Sequence, residues 1–157
     1  MAVEIERKFF VTDPPAGDIL GPGVPLRQGY LAGEGDVEVR VRIAPSGAWI
    51  TVKAGRGAAR TEVEVAVDPD EAEALWVHTV GRRLEKVRYR VPVTGGVAEV
   101  DRYGGELEGL WTAEVEFPSV DAASAFVPPA WFGAELTDVD GWSNAALARQ
   151  GRPDRVP

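Results

Sequence analysis

Residues 60–67 read Arg-Thr-Glu-Val-Glu-Val-Ala-Val, a run in which charge and hydrocarbon alternate with a period of two. A β-strand sends successive side chains to opposite faces, so this run predicts a strand with Glu62 and Glu64 on one face and Val63 and Val65 on the other. The pattern recurs outward from it. Glu4, Glu6 and Lys8 oppose Val3, Ile5 and Phe9; Arg40 and Arg42 oppose Val39, Val41 and Ile43; Lys53 opposes Ile50 and Val52. Lys86, Arg88 and Arg90 oppose Val87, Tyr89 and Val91, while Glu99 and Asp101 flank Val100 and Glu114 and Glu116 flank Val115. Alternation spans residues 2–11, 26–31, 36–44, 47–54, 59–67, 84–93, 97–103 and 110–117, with turn residues between. Hairpins are expected at Pro45-Ser46-Gly47, Ala54-Gly55-Arg56-Gly57 and Thr94-Gly95-Gly96. The expected fold is all-β dominated and antiparallel, with eight strands, enough to close a small barrel. Flanking helices are expected from Asp68 to about Val80, after Val120 with Asp121 as cap, and at Ser143–Gln150 with Ser143 as cap. Residues 12–25 read as loop and 151–157 as tail, which leaves one domain over 1–157 with its core in 2–150.

Composition narrows the chemistry. The 157 residues carry a net charge of −8, no cysteine and a single histidine, His78. Disulfides, thiolate zinc sites, cysteine nucleophiles and multi-histidine metal sites are excluded. An acidic chain is repelled by bulk nucleic acid and by anionic membrane surfaces, so neither is an expected partner. The charged N-terminus is unlike a secretory signal, and no apolar run reaches membrane-spanning length, so a cytoplasmic protein is expected. Any catalysis falls to carboxylates, Lys, Arg, Tyr or a bound metal.

The charged face admits two readings, because parity does not say which face points inward. It is either the wet face of an antiparallel sheet or the lining of a cavity. Two features favour the cavity. Like charges repeat at i, i+2 in several strands, which solubility does not require. The chain also has only three lysines among its 17 cationic residues, and all three, Lys8, Lys53 and Lys86, lie on this face. Lysine supplies a compact, titratable donor that arginine cannot replace. Turned inward, the acids Glu4, Glu6, Glu62, Glu64, Glu99, Asp101, Glu114 and Glu116 are hard ligands for Mg²⁺ or Mn²⁺. The bases Lys8, Arg40, Arg42, Lys53, Lys86 and Arg88 are donors for several phosphates in a row, which suggests a metal-bound polyphosphate.

These residues resemble a known family. Glu4-Ile5-Glu6-Arg7-Lys8 is similar to the ExExK signature of the CYTH domain, or triphosphate tunnel metalloenzymes. The resemblance continues through Gln28-Gly29-Tyr30-Leu31, Val39-Arg40-Val41-Arg42, Thr51-Val52-Lys53 and Arg60-Thr61-Glu62-Val63-Glu64. It extends through Lys86-Val87-Arg88-Tyr89, Glu99-Val100-Asp101-Arg102-Tyr103 and Ala113-Glu114-Val115-Glu116-Phe117 to Glu135-Leu136-Thr137-Asp138 and Trp142-Ser143-Asn144. Tyr103 stands where the family commonly has Phe, and Trp142 where Tyr is usual.

The resemblance implies an eight-stranded antiparallel tunnel with its polar face inward, and metal-dependent hydrolysis of a triphosphate. Inorganic tripolyphosphate, cleaved to pyrophosphate and phosphate, is the leading substrate. Thiamine triphosphatase or class IV adenylyl cyclase activity are alternatives, as is a non-catalytic polyphosphate-binding module. Glu4, Glu6, Glu114 and Glu116 would hold a metal on the phosphates, and Asp101 and Glu99, with Glu62 and Glu64, would serve that metal or a second. The six bases would clamp the phosphate chain, and Lys8 with Tyr30 would form a catalytic dyad. The partner is then a small-molecule triphosphate, and a homodimer is compatible with the sequence. Crowding of Glu4, Glu6, Glu114 and Glu116 is expected to raise their pKa values.

Overall fold

In a computed structural model, residues 2–55 and 60–157 are described, with side chains from Glu4 onward. One antiparallel sheet of ten strands dominates. Its strands are β1 (Ala2–Glu4), β2 (Glu6–Val11), β3 (Val24–Glu34), β4 (Val37–Ala44) and β5 (Gly47–Ala54). The others are β6 (Arg60–Val67), β7 (Arg83–Val93), β8 (Gly96–Tyr103), β9 (Trp111–Glu116) and β10 (Phe132–Glu135). Four short helices accompany them: α1 (Gly17–Leu20), α2 (Pro69–Trp76), α3 (Val120–Ala125) and α4 (Asn144–Gln150).

The hydrogen-bonded order is β1-β6-β5-β4-β3-β7-β8-β9-β2-β10. This ladder ends in two different strands and does not close on itself, unlike the closed barrel expected from eight strands. The expected first strand, 2–11, is broken at Ile5. Its outer piece pairs with β6, Glu4 opposite Arg60, and its inner piece pairs with β9, Lys8 opposite Glu114. One residue therefore separates β1, the first strand of the ladder, from β2, the last but one. The Ile5 carbonyl accepts from the Phe117 amide at 2.7 Å, which holds the break in place.

Strand β10 was not legible in the alternation. It pairs with β2 at the sheet edge, and only Phe132 among its four residues is buried. Gly133 is required there, because a Cβ would stand 2.8 Å from Thr12 Oγ1 and 3.0 Å from the Phe10 carbonyl oxygen. Residues 12–25, expected as loop, contain α1 and the start of β3. Strand β3 runs on to Glu34 through an irregularity in its pairing with β4 between Tyr30 and Ala32, which extends it past the expected end at 31. Helix α2 is capped by Asp68, which accepts from the Asp70 amide at 2.8 Å; beyond Trp76 it tightens into a 3₁₀ turn over Val77–Thr79. The cap of α3 is Ser119 rather than Asp121, since the Ser119 hydroxyl accepts from the Ala122 amide. Ser143 caps α4 as expected. The hairpin tip at Arg56-Gly57 lies outside the described residues.

The apolar core lies against one face of the sheet. Phe9, Val91, Val100, Ala113 and Val115 pack with Phe117, Phe126 and Phe132 from the segments around α3 and β10. Ala72, Leu75 and Trp76 of α2 cover Val41, Ala48 and Ile43. Helices and the segments around them cover the apolar parity of most strands, though Val63 and Val65 of β6 stay exposed, and the charged parity of these strands is left to face the other way. A third cluster plugs part of that charged side: Leu84, Tyr103 and Leu110 meet Leu136, Trp142 and Leu147 beside α4. The Tyr103 hydroxyl ties sheet to helix by donating to Asn144 Oδ1 at 2.6 Å.

Candidate active site

The charged faces converge on a cavity of about 780 Å³. Of the residues expected from the sequence, Glu4, Glu6, Lys8, Tyr30, Arg40, Arg42, Lys53, Glu62, Glu64, Arg88, Glu99, Glu114 and Glu116 line it. They come from β1 to β9, because β-periodicity keeps one parity on one face through every strand. Lys8 is fixed at its backbone by the segment after β10. Its amide donates to Thr137 Oγ1 at 3.0 Å, and its carbonyl accepts from the Leu136 amide at 2.7 Å.

Two expected residues are not on the wall. Lys86 Nζ lies 2.6 Å from Asp101 Oδ2, and both side chains are fully buried. Asp101 also receives Arg88 in a two-pronged pair at 2.7 and 2.8 Å. The pair sits against the apolar plug, with Lys86 Nζ 5.6 Å from the centre of the Tyr103 ring. Asp101, itself anchored by Lys86, therefore holds Arg88 from behind. Burial would raise the Asp101 carboxyl, but Arg88 and Lys86 outweigh it and keep it ionised. Lys86 is pushed down to about 8 by burial and by neighbouring Arg88.

Most acids on the wall lean on a cation. Lys53 bridges Glu4 and Glu62 at 2.9 and 3.1 Å, and Arg42 holds Glu64 at 3.0 Å. Glu114 sits 3.1 Å from Lys8 and 3.6 Å from Arg88, while Glu99 pairs with Arg88 and Arg90. Crowding therefore acts unevenly. Glu6 is pushed up to about 7 by burial and by Glu114 and Glu4, and Glu4 is also raised. Glu114 was expected to rise with them, yet Lys8, Lys86 and Arg88 outweigh its burial and hold it well below the usual carboxylate range. Among the described residues no three acids or histidines already stand in metal-binding array.

Donors on the wall behave differently. No carboxylate of the described residues pairs with Arg40, and its buried Nε has no acceptor. Gln28 Nε2 and Arg60 Nε are likewise buried without one. Tyr30 is almost fully buried, and burial raises its phenol. The alternation had signalled neither Gln28 nor Glu38 as a site residue. Both were within reach of parity, Gln28 as the neighbour of Tyr30 at i−2 and Glu38 as that of Arg40. Glu38 takes Arg60 at 3.3 Å.

Charge and hydrogen-bond inventory point the same way. The cavity offers buried N–H groups that lack acceptors, and a multiply charged oxyanion supplies acceptors. Among the described residues the cavity's lining carries nine carboxylates against seven cations, so an anion enters more readily with accompanying positive charge. An all-β sheet with such a cavity defines a protein suited to an anion carried with cations.

The comparisons give the family. The chain is 45% identical over 147 residues to an inorganic triphosphatase of Nitrosomonas europaea, covering 92% of this chain and 96% of that one. It is 36% identical over 151 residues to an inorganic triphosphatase of Acetivibrio thermocellus, with 95% of each covered. The crystal structure of the inorganic triphosphatase NE1496 matches with a TM-score of 0.72 at 42% identity, covering 95% of this chain and 96% of that one. A putative adenylate cyclase from Bacillus halodurans shares the fold at a TM-score of 0.58 and 18% identity, over 78% of this chain and 84% of that one. No family model matches the chain. The chain belongs to the inorganic triphosphatase family. No helix of the described residues is long and apolar enough to cross a membrane.

Proposed function

We propose that this protein is a divalent-metal-dependent triphosphatase of the CYTH type, hydrolysing inorganic tripolyphosphate to pyrophosphate and phosphate. The observation that carries the reading is the set of buried N–H groups without acceptors, Arg40 Nε foremost, on a wall that also bears Lys8, Arg42, Lys53 and Arg88. A linear triphosphate provides acceptors along its length, and these bases would grip it. The break at Ile5, which leaves β1 at one end of the ladder a single residue from β2 near the other, supports the further reading that the sheet wraps the substrate as a tunnel.

Mg²⁺ or Mn²⁺ fits the wall by chemistry. Every anionic donor is a carboxylate oxygen, and the mutual repulsion felt at Glu6 is what a divalent cation would relieve. Glu4, Glu6, Glu114 and Glu116 would hold the first ion, with Glu62, Glu64 and Glu99 available to it or to a second. Asp101 would act through Arg88. When bound, the metal neutralises charge on the phosphates and positions water for attack. Lys8 would carry charge and a transferable proton to the reacting phosphate, with Tyr30 as its neighbour in the dyad. The test of hydrolysis is phosphate release from tripolyphosphate with Mg²⁺ or Mn²⁺, abolished by EDTA. Release undiminished in EDTA would remove the metal from the mechanism.

Metal should also stabilise the fold, by about 2.7 kcal/mol at a hundredfold excess over Kd. Melts in EDTA and in millimolar Mg²⁺ should differ by several degrees. Glu6→Gln should melt no lower than wild type in EDTA, because it removes the crowded carboxyl, and should show a smaller metal-induced rise. The sign with pH follows. The Glu6 carboxyl is raised from 4.5 to about 7 in the fold, so its contribution to stability is present at low pH and is lost as pH rises through that window. In EDTA, wild type should lose stability relative to Glu6→Gln between pH 5 and roughly pH 8. A parallel pH dependence of the two proteins contradicts the assignment.

A further inference from the structure

We propose that Gln28 is a substrate-contacting residue, its side-chain amide donating to a phosphoryl oxygen of the triphosphate gripped by Arg40 and Arg42. Gln28 lies on β3 with only 2% of its surface exposed, lines the cavity, and has a buried Nε2 with no acceptor. Burying an amide donor without a partner is costly, and replacing it by an apolar group of similar shape is close to neutral. A glutamine kept in that position is therefore explained by an acceptor that arrives from outside the protein.

Its neighbours say which acceptor. Gln28 pairs across the ladder with Arg42, and Tyr30, next on the same face, pairs with Arg40. The amide thus stands in the same patch as two guanidinium groups, and an oxygen drawn to those cations is within the reach of a side chain on the adjoining strand. On its other side β3 pairs Gln28 with Leu84, which offers no acceptor in its side chain. A neutral donor also suits the place physically. Arg40 already opposes the charge on Arg42, so a further cation would add repulsion, whereas an amide adds a hydrogen bond at no net charge. A hydrogen bond to a charged acceptor is strong enough to matter, worth roughly 10- to 100-fold in binding.

This inference rests on the triphosphatase reading for its substrate, and its test is separable from that reading. The variants are Gln28→Met, near in shape and without a donor, and Gln28→Glu, which puts a carboxylate among the phosphates. Melting with tripolyphosphate in EDTA reads anion binding without turnover, and steady-state phosphate release with Mg²⁺ reads KM and kcat. Gln28→Met should melt at or above wild type when no ligand is added, gain much less from tripolyphosphate, and raise KM roughly 10- to 100-fold with kcat little changed. Gln28→Glu should fold and bind still more weakly. Equal tripolyphosphate stabilisation in Gln28→Met and wild type would overturn the proposal. So would a fall in ligand-free melting temperature in both variants, which would make the amide structural. Absence of phosphate release by wild type would instead count against the triphosphatase reading, while the anion-dependent melts still score Gln28.

Discussion

Asp101→Asn should destabilise the protein by about 3–5 kcal/mol, the cost of leaving buried charge without its partner. Asp101 is fully buried and answers two cations at once, Lys86 at 2.6 Å and Arg88 at 2.7 Å. Asparagine fills the same space but gives up the negative charge, so two cations would face each other beside an apolar plug. For a chain of this length the loss should appear as a drop of roughly 10 °C in melting temperature. Lys86→Met should cost less, because Asp101 keeps both of its contacts to Arg88. The pH dependence has a definite sign. Lys86 titrates near 8 in the fold against 10.5 in the unfolded chain, and removing Asp101 takes away an interaction that raises it, so the folded value falls further. Between the two values the unfolded chain binds more protons than the fold, so the variant's stability should rise with pH through that window. Thermal melts of both variants from pH 7 to 10 check this; a loss under 1 kcal/mol for Asp101→Asn would mean that water reaches the pair.

Arg40→Gln should show the reverse balance of effects. No carboxylate of the described residues holds Arg40, and its field opposes Lys53 and Arg42. Removing it relieves repulsion among like charges, so the melting temperature should stay level or rise. The same change removes a buried partner for the substrate's negative charge, a loss of about 2–5 kcal/mol in comparable buried pairs. That corresponds to a fall in kcat/KM of roughly 30-fold to several thousand-fold. An Arg40→Gln protein that melts well below wild type and keeps its kcat/KM would make Arg40 a structural residue.

The contrast between these two variants marks what was legible in the sequence. Alternation in runs such as residues 60–67 identified the long strands and every charged residue on the cavity wall except Glu38, Arg60 and Asp138; parity would also have supported the first two, while Asp138 lies outside the strands. Alternation did not give the direction of the face. That follows from the helices α2 and α3 covering the apolar parity of most strands, a tertiary fact that no single strand carries. Nor could alternation grade depth along a strand. Lys86 and Arg88 share a face, yet Lys86 falls beside Tyr103 and Leu84 at the plug while Arg88 reaches the cavity. The break at Ile5 and the edge strand β10 were invisible for a related reason. The first leaves the alternation intact while changing the pairing partner, and the second has too few apolar residues to show a period. The electrostatics of the acids also needed coordinates. Glu6 and Glu114 look alike in the sequence, and it is the grouping of Lys8, Lys86 and Arg88 around Glu114 that sends them in opposite directions.

The measurement closest to the central claim is a side-by-side determination of kcat/KM for tripolyphosphate and ATP with Mg²⁺, with products identified. The cavity's bases match a chain of phosphates, and among the described residues the rings on its wall, Tyr30, Phe117 and Trp142, are all buried, so none offers an exposed face for a nucleobase to stack on. Tripolyphosphate should therefore be the better substrate, yielding pyrophosphate and phosphate. Faster turnover of ATP, with a cyclic nucleotide as product, would contradict the account.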